Sequence, residues 1–111
     1  MELQFFDPGL LRTPIQLQVC ELSSDGQGGG EQVWSSAADL FAHVEPISST
    51  ARERAHYNDQ VITHRIILRY REGITLDHRF LRNTRVFAIR NFHDLDETKR
   101  YLVCKCEEIP T

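Results

Sequence analysis

The chain has 111 residues, 41% of them hydrophobic and 26% charged, with a net charge of −3, which allows one small core and no second one. That balance excludes a disordered chain, and no apolar run approaches the roughly 20 residues of a membrane-spanning helix. The start, "MELQFFDPG", has an acid at position 2 and no basic n-region; it is read as no secretory leader, and the chain is expected to be intracellular when made.

Near the start, "DPGLLR" (7–12) has the chemistry of a short capped turn, with Asp7 as cap and Pro8 where a first helical residue needs no N–H. "PIQLQVCEL" then alternates Ile15, Leu17 and Val19 against Gln16, Gln18 and Cys20, the pattern of a half-buried strand. "SSDGQGGGEQ" is expected to be a flexible loop in which no regular segment passes Gly26, Gly28, Gly29 and Gly30. No lysine or helix pattern follows it, so it is not a phosphate-binding loop. "VWSSAADLFAHVEPI" returns to strand alternation, with Leu40, Ala42 and Val44 on one side and Phe41 and His43 on the other. Pro46 ends it, since proline cannot donate to a sheet ladder.

"SSTARERAHYND" (48–59) is polar and lacks alternation. It is read as a long loop between two central strands, with Ser49 or Thr50 able to cap a short helix through Ala55. From Ile62 the strand pattern is strong: Ile62, Ile66, Leu68 and Tyr70 on one face, and Arg65, Ile67, Arg69 and Arg71 on the other. Gly73 makes the turn, "DHRFL" begins the next strand, and "NTRVFAIRNF" gives another, with Phe87 and Ile89 against Val86 and Ala88. "HDLDETK" is read as an acidic turn of solvated carboxylates, and "RYLVCKCEE" is the closing strand. Six or so short strands with polar turns predict an all-β barrel or sandwich.

The chemistry of an enzyme is not visible in this pattern. The five histidines stand singly, without metal-ligand spacing, and no nucleophile, base and stabiliser are grouped. "DLDE" lacks the glycine and distant glutamate of a calcium loop. Cys20, Cys104 and Cys106 are an odd number; Cys104 and Cys106 share a strand face with Leu102 and are read as buried reduced thiols. No cofactor, metal or membrane contact is expected.

Charge is the informative feature. Residues 1–50 carry one basic and seven acidic residues (−6), residues 51–111 twelve basic and nine acidic (+3), and eleven of the thirteen basic residues are arginine. Arginine's planar fork suits carboxylate and phosphate partners. Nine arginines and four acids lie between Arg52 and Arg90, interleaved with Tyr70, Phe80 and Phe87. A solvated face is the ordinary reading of such a pattern, and arginine counts alone do not separate the two sharper ones, a subunit interface and a nucleic-acid surface.

The pieces in order resemble the phage head–tail joining (head–tail adaptor) family, small head-completion proteins of tailed phages and related particles. The resemblance is carried by "GLLRTPIQLQ", "WSSAADLFAHVEPIS", "ITHRIILRYREGIT" and "RFLRNTRVFAIRNFHDLDETKRYLVCKCEE", over about residues 9–108. It departs in "GQGGG" and "ARERAHYND". It implies a β-barrel subunit of a homo-oligomeric ring in the virion neck, docked on the portal or its adaptor ring and presenting a surface to the tail or tail terminator. In some members a loop projects into the channel and holds packaged double-stranded DNA. Here that loop corresponds to Ser48, Ser49, Thr50, Ala51, Arg52, Glu53, Arg54, Ala55, His56, Tyr57, Asn58 and Asp59. Arg65, Arg69 and Arg71 are then expected at the subunit interface in preference to DNA. The alternatives are a tail-side neck or terminator component without a plug, and a free arginine-rich nucleic-acid-binding barrel. An infectious phage, a prophage and a gene-transfer particle are all compatible sources.

Overall fold

In the computed structural model, which describes residues 5–24, 30–48 and 61–110, alternation at period two becomes six antiparallel strands. They are β1 (Thr13–Ser24), β2 (Gly30–Pro46), β3 (His64–Arg69), β4 (His78–Arg82), β5 (Arg85–Asp94) and β6 (Tyr101–Ile109). Hydrogen bonding closes them into a barrel in the order β1–β2–β3–β6–β5–β4. The all-β class and the barrel are therefore as the sequence predicts, and the sandwich alternative falls away.

The inward positions fill the barrel. Ile15 and Leu17 of β1, Ala42 of β2, Ile66 and Leu68 of β3, Phe80 of β4, Phe87 and Ile89 of β5, and Leu102, Cys104 and Cys106 of β6 form one buried cluster. Phe80 and Phe87 face each other in the β4–β5 register and are fully buried. Each such ring contributes about 1.5–3 kcal/mol by leaving water. The two β6 cysteines are buried free thiols, as expected. Burial pushes the Cys104 thiol up to about 12 and Cys106 well above its usual value, so both stay protonated and unreactive at neutral pH.

Two bulges bend the wall. Leu17 pairs with Ala38 and Gln18 with Ser36, so Ala37 of β2 has no partner in β1. Ile89 pairs with Cys106 and Asn91 with Lys105, so Arg90 is the extra residue in β5. An extra residue of this kind raises local twist and re-aims the side chains beyond it. β1 pairs with β4 only over Gln16–Val19 but with β2 from Thr13 to Ser24. The distal part of the β1–β2 hairpin is therefore a two-stranded arm running past the barrel. Arg79 ties its base down: Nε donates to Gln18 Oε1 at 2.7 Å, and the guanidinium lies 4.0 Å from the Trp34 ring centroid.

At the amino end, Asp7 caps the short 3₁₀ turn Pro8–Leu10, its Oδ1 accepting from Gly9 N at 2.9 Å, as the "DPG" chemistry predicts. This segment lies over the outside of β3 and β6. Phe6 and Leu11, with Leu95, pack on Ile67, Tyr101 and Val103 to form a second, smaller core. Ile67 is thus buried between two exposed arginines, and the outer face of β3 is not a solvated strip.

Four sequence expectations need correcting. The glycine-rich stretch expected at 23–32 as loop is narrower: Ser24 pairs with Gly30, so Gly30 belongs to β2, because an extended glycine in a hairpin ladder needs no special backbone. Residues 25–29 lie outside the described residues. The central strand, expected over 61–71, runs only from His64 to Arg69, because Pro46, which cannot donate, stands opposite His64 at one end and β6 begins at Tyr101 opposite Arg69 at the other. The strand expected from Asn83 begins at Arg85. Arg82 pairs with Arg85 and Asn83 adopts φ 54°, so Asn83 and Thr84 make a two-residue turn instead. The turn at Gly73 is as expected: its φ of 89° is a left-handed value, and a Cβ there would meet nothing within 4 Å, so backbone strain alone favours glycine.

The fourth correction concerns the acids of "HDLDETK". They are not simply solvated, since Asp96 is buried. Its Oδ1 accepts from Thr98 N at 3.3 Å and from Thr98 Oγ1, and its Oδ2 accepts from Arg100 Nη2 at 2.7 Å. Asp94 Oδ2 accepts from Lys99 N at 2.7 Å. These bonds hold Glu97 and Lys99 at φ 62° and 60°, a conformation that costs a side-chain-bearing residue about 1–2 kcal/mol. The carboxylates fold the 95–100 connection and so place Leu95 on the second core.

Candidate assembly surface and channel connection

The segment corresponding to the expected channel loop joins β2 to β3. Its two roots are close: Ile47 N donates to Thr63 O at 2.9 Å. Ser48 is exposed, while Ser49, Thr50, Ala51, Arg52, Glu53, Arg54, Ala55, His56, Tyr57, Asn58 and Asp59 lie outside the described residues, as does the short helix expected near Ala55. The root on the β3 side is built strongly. Thr63 N donates to Cys106 O at 2.9 Å, Glu108 N donates to Thr63 Oγ1 at 2.7 Å, and Thr63 Oγ1 lies 2.9 Å from the buried His64 Nδ1. His64 meets Phe87 edge-on at 5.0 Å.

Arg85 completes this base. Its Nε and Nη2 donate to the two oxygens of Glu108 at 2.8 and 3.0 Å, a fork-to-fork pair. That pair holds the Glu108 carboxyl below its ordinary value and raises Arg85 above its own. The connection therefore leaves the barrel at one end, from a hydrogen-bonded rim. The sequence alone does not reveal this cluster, because Thr63, His64, Arg85 and Glu108 come from three separate stretches.

The three strand arginines have different environments. Arg65 sits directly opposite Glu45 in the β2–β3 register, with Nε 3.1 Å from Oε2 and Nη2 3.2 and 2.9 Å from Oε1 and Oε2. Both groups are well exposed, so the pair is worth less than about 1 kcal/mol to the fold. Its geometry nonetheless occupies the guanidinium within its own chain. Arg69 is exposed at the end of β3, beside Pro8, Leu11 and Phe41, and has no ion pair among the described residues. Arg71 lies beyond β3, half-buried, with its Nε shielded from solvent and no hydrogen-bond partner among the described residues. The structure thus separates the trio into one satisfied arginine and two available ones.

Other arginines are engaged within the fold. Arg90, from the β5 bulge, donates to Glu107 Oε1 at 3.1 and 2.8 Å, and Arg100 holds Asp96. Among the described residues no group of three His, Cys, Asp or Glu side chains is placed to hold a metal ion. The surface also exposes large apolar side chains: Phe5, Phe41 and Leu76 above all. Phe41 was legible as outward-facing from strand alternation; Leu76 was not, because it lies between strands where no period operates.

Residues 6–109 match the model of the phage head completion protein family. The chain belongs to that family. A head completion protein is a structural component of the virion, where it works among other virion proteins, and that coarse assignment holds here. The barrel is similar to the solution structure of protein SF1141 from Shigella flexneri 2a, with a TM-score of 0.73 and 27% identity over 93% of this chain and 96% of that one. It also resembles a chain in the virion of a native gene transfer agent particle, with a TM-score of 0.62 and 20% identity over 89% and 96% of the two chains, which shows a shared fold. No curated protein matches this chain.

Proposed function

We propose that this head completion protein assembles as a homo-oligomeric ring at the virion neck, docks on the portal or its adaptor ring, helps retain packaged double-stranded DNA, and offers the surface to which the tail or tail terminator attaches. The observation that carries the reading is the family match over residues 6–109. The likeness of the fold to a chain within a gene transfer agent virion supports the same setting. No step of catalysis belongs to this role.

Two structural features fit it. The first is the β2–β3 connection, whose roots are joined at Ile47 and Thr63 on a hydrogen-bonded rim. Roots tied to the barrel in this way let a connection carry a function that the scaffold positions. Arg52 and Arg54 within it carry charge suited to phosphates. The second is the pair of available arginines, Arg69 and Arg71. In a ring every subunit meets its neighbour through two different faces, so an unpaired guanidinium on one face can meet a carboxylate on the other. We assign Arg69 and Arg71 to such contacts, and Arg65 a supporting place through Glu45.

Cryo-electron microscopy of the neck of intact particles tests this reading. The expected result is a ring of six-stranded barrels between the portal assembly and the tail. A neck without this barrel would overturn it.

A further inference from the structure

The β1–β2 hairpin outruns the strands on either side of it. β3 pairs with β2 only over Ala42–Pro46, and among the described residues no strand lies along that side of β2 over residues 30–40. β4 pairs with β1 over Gln16–Val19, and Cys20 N still donates to Asp77 O at 2.9 Å. Past that bond, no strand among the described residues lies on the β4 side of β1 over residues 21–24. The arm is therefore a ribbon with two open edges, one on β2 and one on β1, facing opposite ways. A depression of about 320 Å³ at the fork between β2 and β3, lined by Leu40, Phe41, Leu68 and Arg69 among others, marks where the β2 edge opens.

The register says which backbone groups stand on these edges. Cys20 N points to β4, so the even residues of β1 turn their N–H and C=O toward the β4 side and the odd ones toward β2. Val19 and Glu21 therefore bond Ser35 and Val33 of β2, and Gln32, Trp34 and Ser36 turn theirs to the open side; on β1, Leu22 and Ser24 do the same. An open strand edge is a template for another strand, and natural edges are blunted by charge, proline or bulges. The stretch "QVWSSAA" (32–38) holds no charged residue and no proline. Its one bulge, at Ala37, lies past Ser36 and leaves Gln32, Trp34 and Ser36 in regular register.

The ribbon itself supplies the complementary edge. β1 and β2 run antiparallel, so a second ribbon laid alongside in the same orientation brings its β1 edge antiparallel to the β2 edge of the first. Antiparallel pairing is the more stable of the two ladders, and the main-chain bonds of an added strand give affinity. The two edges are different surfaces, so the contact is heterologous and repeats from copy to copy; with the rotation axis along the arm it closes into a ring. Pairing of β2 with β2 would stop at a dimer.

We propose that the open β2 edge of one copy, at Gln32, Trp34 and Ser36, takes the β1 edge of the next copy, at Leu22 and Ser24, so that the arms form one continuous intersubunit sheet. The inference rests on the ring assembly proposed above. Its test uses particles assembled from an equal mixture of two single variants, Glu21→Cys and Val33→Cys, each in a Cys20→Ser background, treated with a short bismaleimide. Both side chains are exposed and lie on one face of the ribbon, and the buried Cys104 and Cys106 do not react. Cross-linked dimers from the mixture, absent when either variant assembles alone, are expected. Dimers from Val33→Cys alone would mean pairing of β2 with β2 and overturn the head-to-tail contact. A ring visible in the neck with no dimers from the mixture would overturn the edge contact while the ring stands, and a neck with no ring of this protein would overturn both. A strand of another virion protein seated on the β2 edge would overturn the second copy as its occupant. If the cysteine variants do not assemble, Gln32→Pro and Gln32→Thr decide, because proline removes an N–H from the open edge and leaves the β1 ladder intact. Incorporation lost with a folded Gln32→Pro protein and kept with Gln32→Thr supports the contact, and equal incorporation overturns it.

Discussion

Replacing Asp96 tests the structural claim that an acidic turn is in fact a folded, hydrogen-bonded unit. The carboxylate is nearly inaccessible, with 2% side-chain exposure, and binds Thr98 twice and Arg100 once. Asp96→Asn keeps the shape and one acceptor but turns an amide or a weaker oxygen toward the guanidinium. With hydrogen bonds to charged groups worth roughly 1.5–3 kcal/mol each, the net loss should be about 2 kcal/mol. Asp96→Ala also leaves the Thr98 donors without acceptors, while Arg100, half exposed, regains water, so the cost should be about 3 kcal/mol. At roughly 4 °C per kcal/mol for a domain of this size, the melting temperatures should fall by about 8 and 12 °C. Thermal and urea unfolding followed by circular dichroism measure this, with the exposed Glu97→Gln as a control expected to change little. An Asp96→Ala protein melting within about 2 °C of the parent would refute the reasoning. The turn would then be solvated after all, and Tyr70, which donates to Arg100 O, would need another anchor.

The remaining predictions concern the rim and the assembly surface. Because Arg85 holds the Glu108 carboxyl below its ordinary value of 4.5, its contribution is full above that value and is lost as pH falls through the lowered one. Glu108→Gln should therefore be less stable than the parent at pH 7, and the gap should narrow as the pH falls below the ordinary carboxylate value; a gap that does not change on acidification would contradict the pair. Arg69→Glu should leave monomer melting within about 1 °C and reduce incorporation into particles, whereas a folding defect without an assembly defect would remove Arg69 from the interface. Shortening 50–57 should preserve the barrel, since the Ile47–Thr63 clamp is retained and the loop-length term changes by only about 0.7 kcal/mol. The shortened protein should still enter particles but retain less DNA. An unfolded product would mean the segment belongs to the core.

The fold was readable where side chains alternate without interruption. Ile66 and Leu68, Phe87 and Ile89, and Leu102, Cys104 and Cys106 all point inward as the pattern predicts. Reading failed where a single extra residue changes the phase, as at Ala37 and Arg90, because a bulge leaves no mark in composition. It failed again at Ile67, whose burial comes from Phe6 and Leu11, far away along the chain. Asp96 was hidden among neighbouring acids, although Asp96 followed by Thr98 has the spacing of a side-chain-stabilised turn. The arginine face was visible, but which guanidiniums are satisfied depends on cross-strand register. Glu45 meets Arg65 only because β2 and β3 pair in one particular alignment.

The central claim is that this barrel completes the DNA-filled head and enables tail attachment. Its most direct test is electron microscopy of particles made without the gene, with nuclease-protected DNA measured in the same preparation. The account predicts tailless heads that package DNA and then lose it. Normally tailed particles with full DNA content would contradict it.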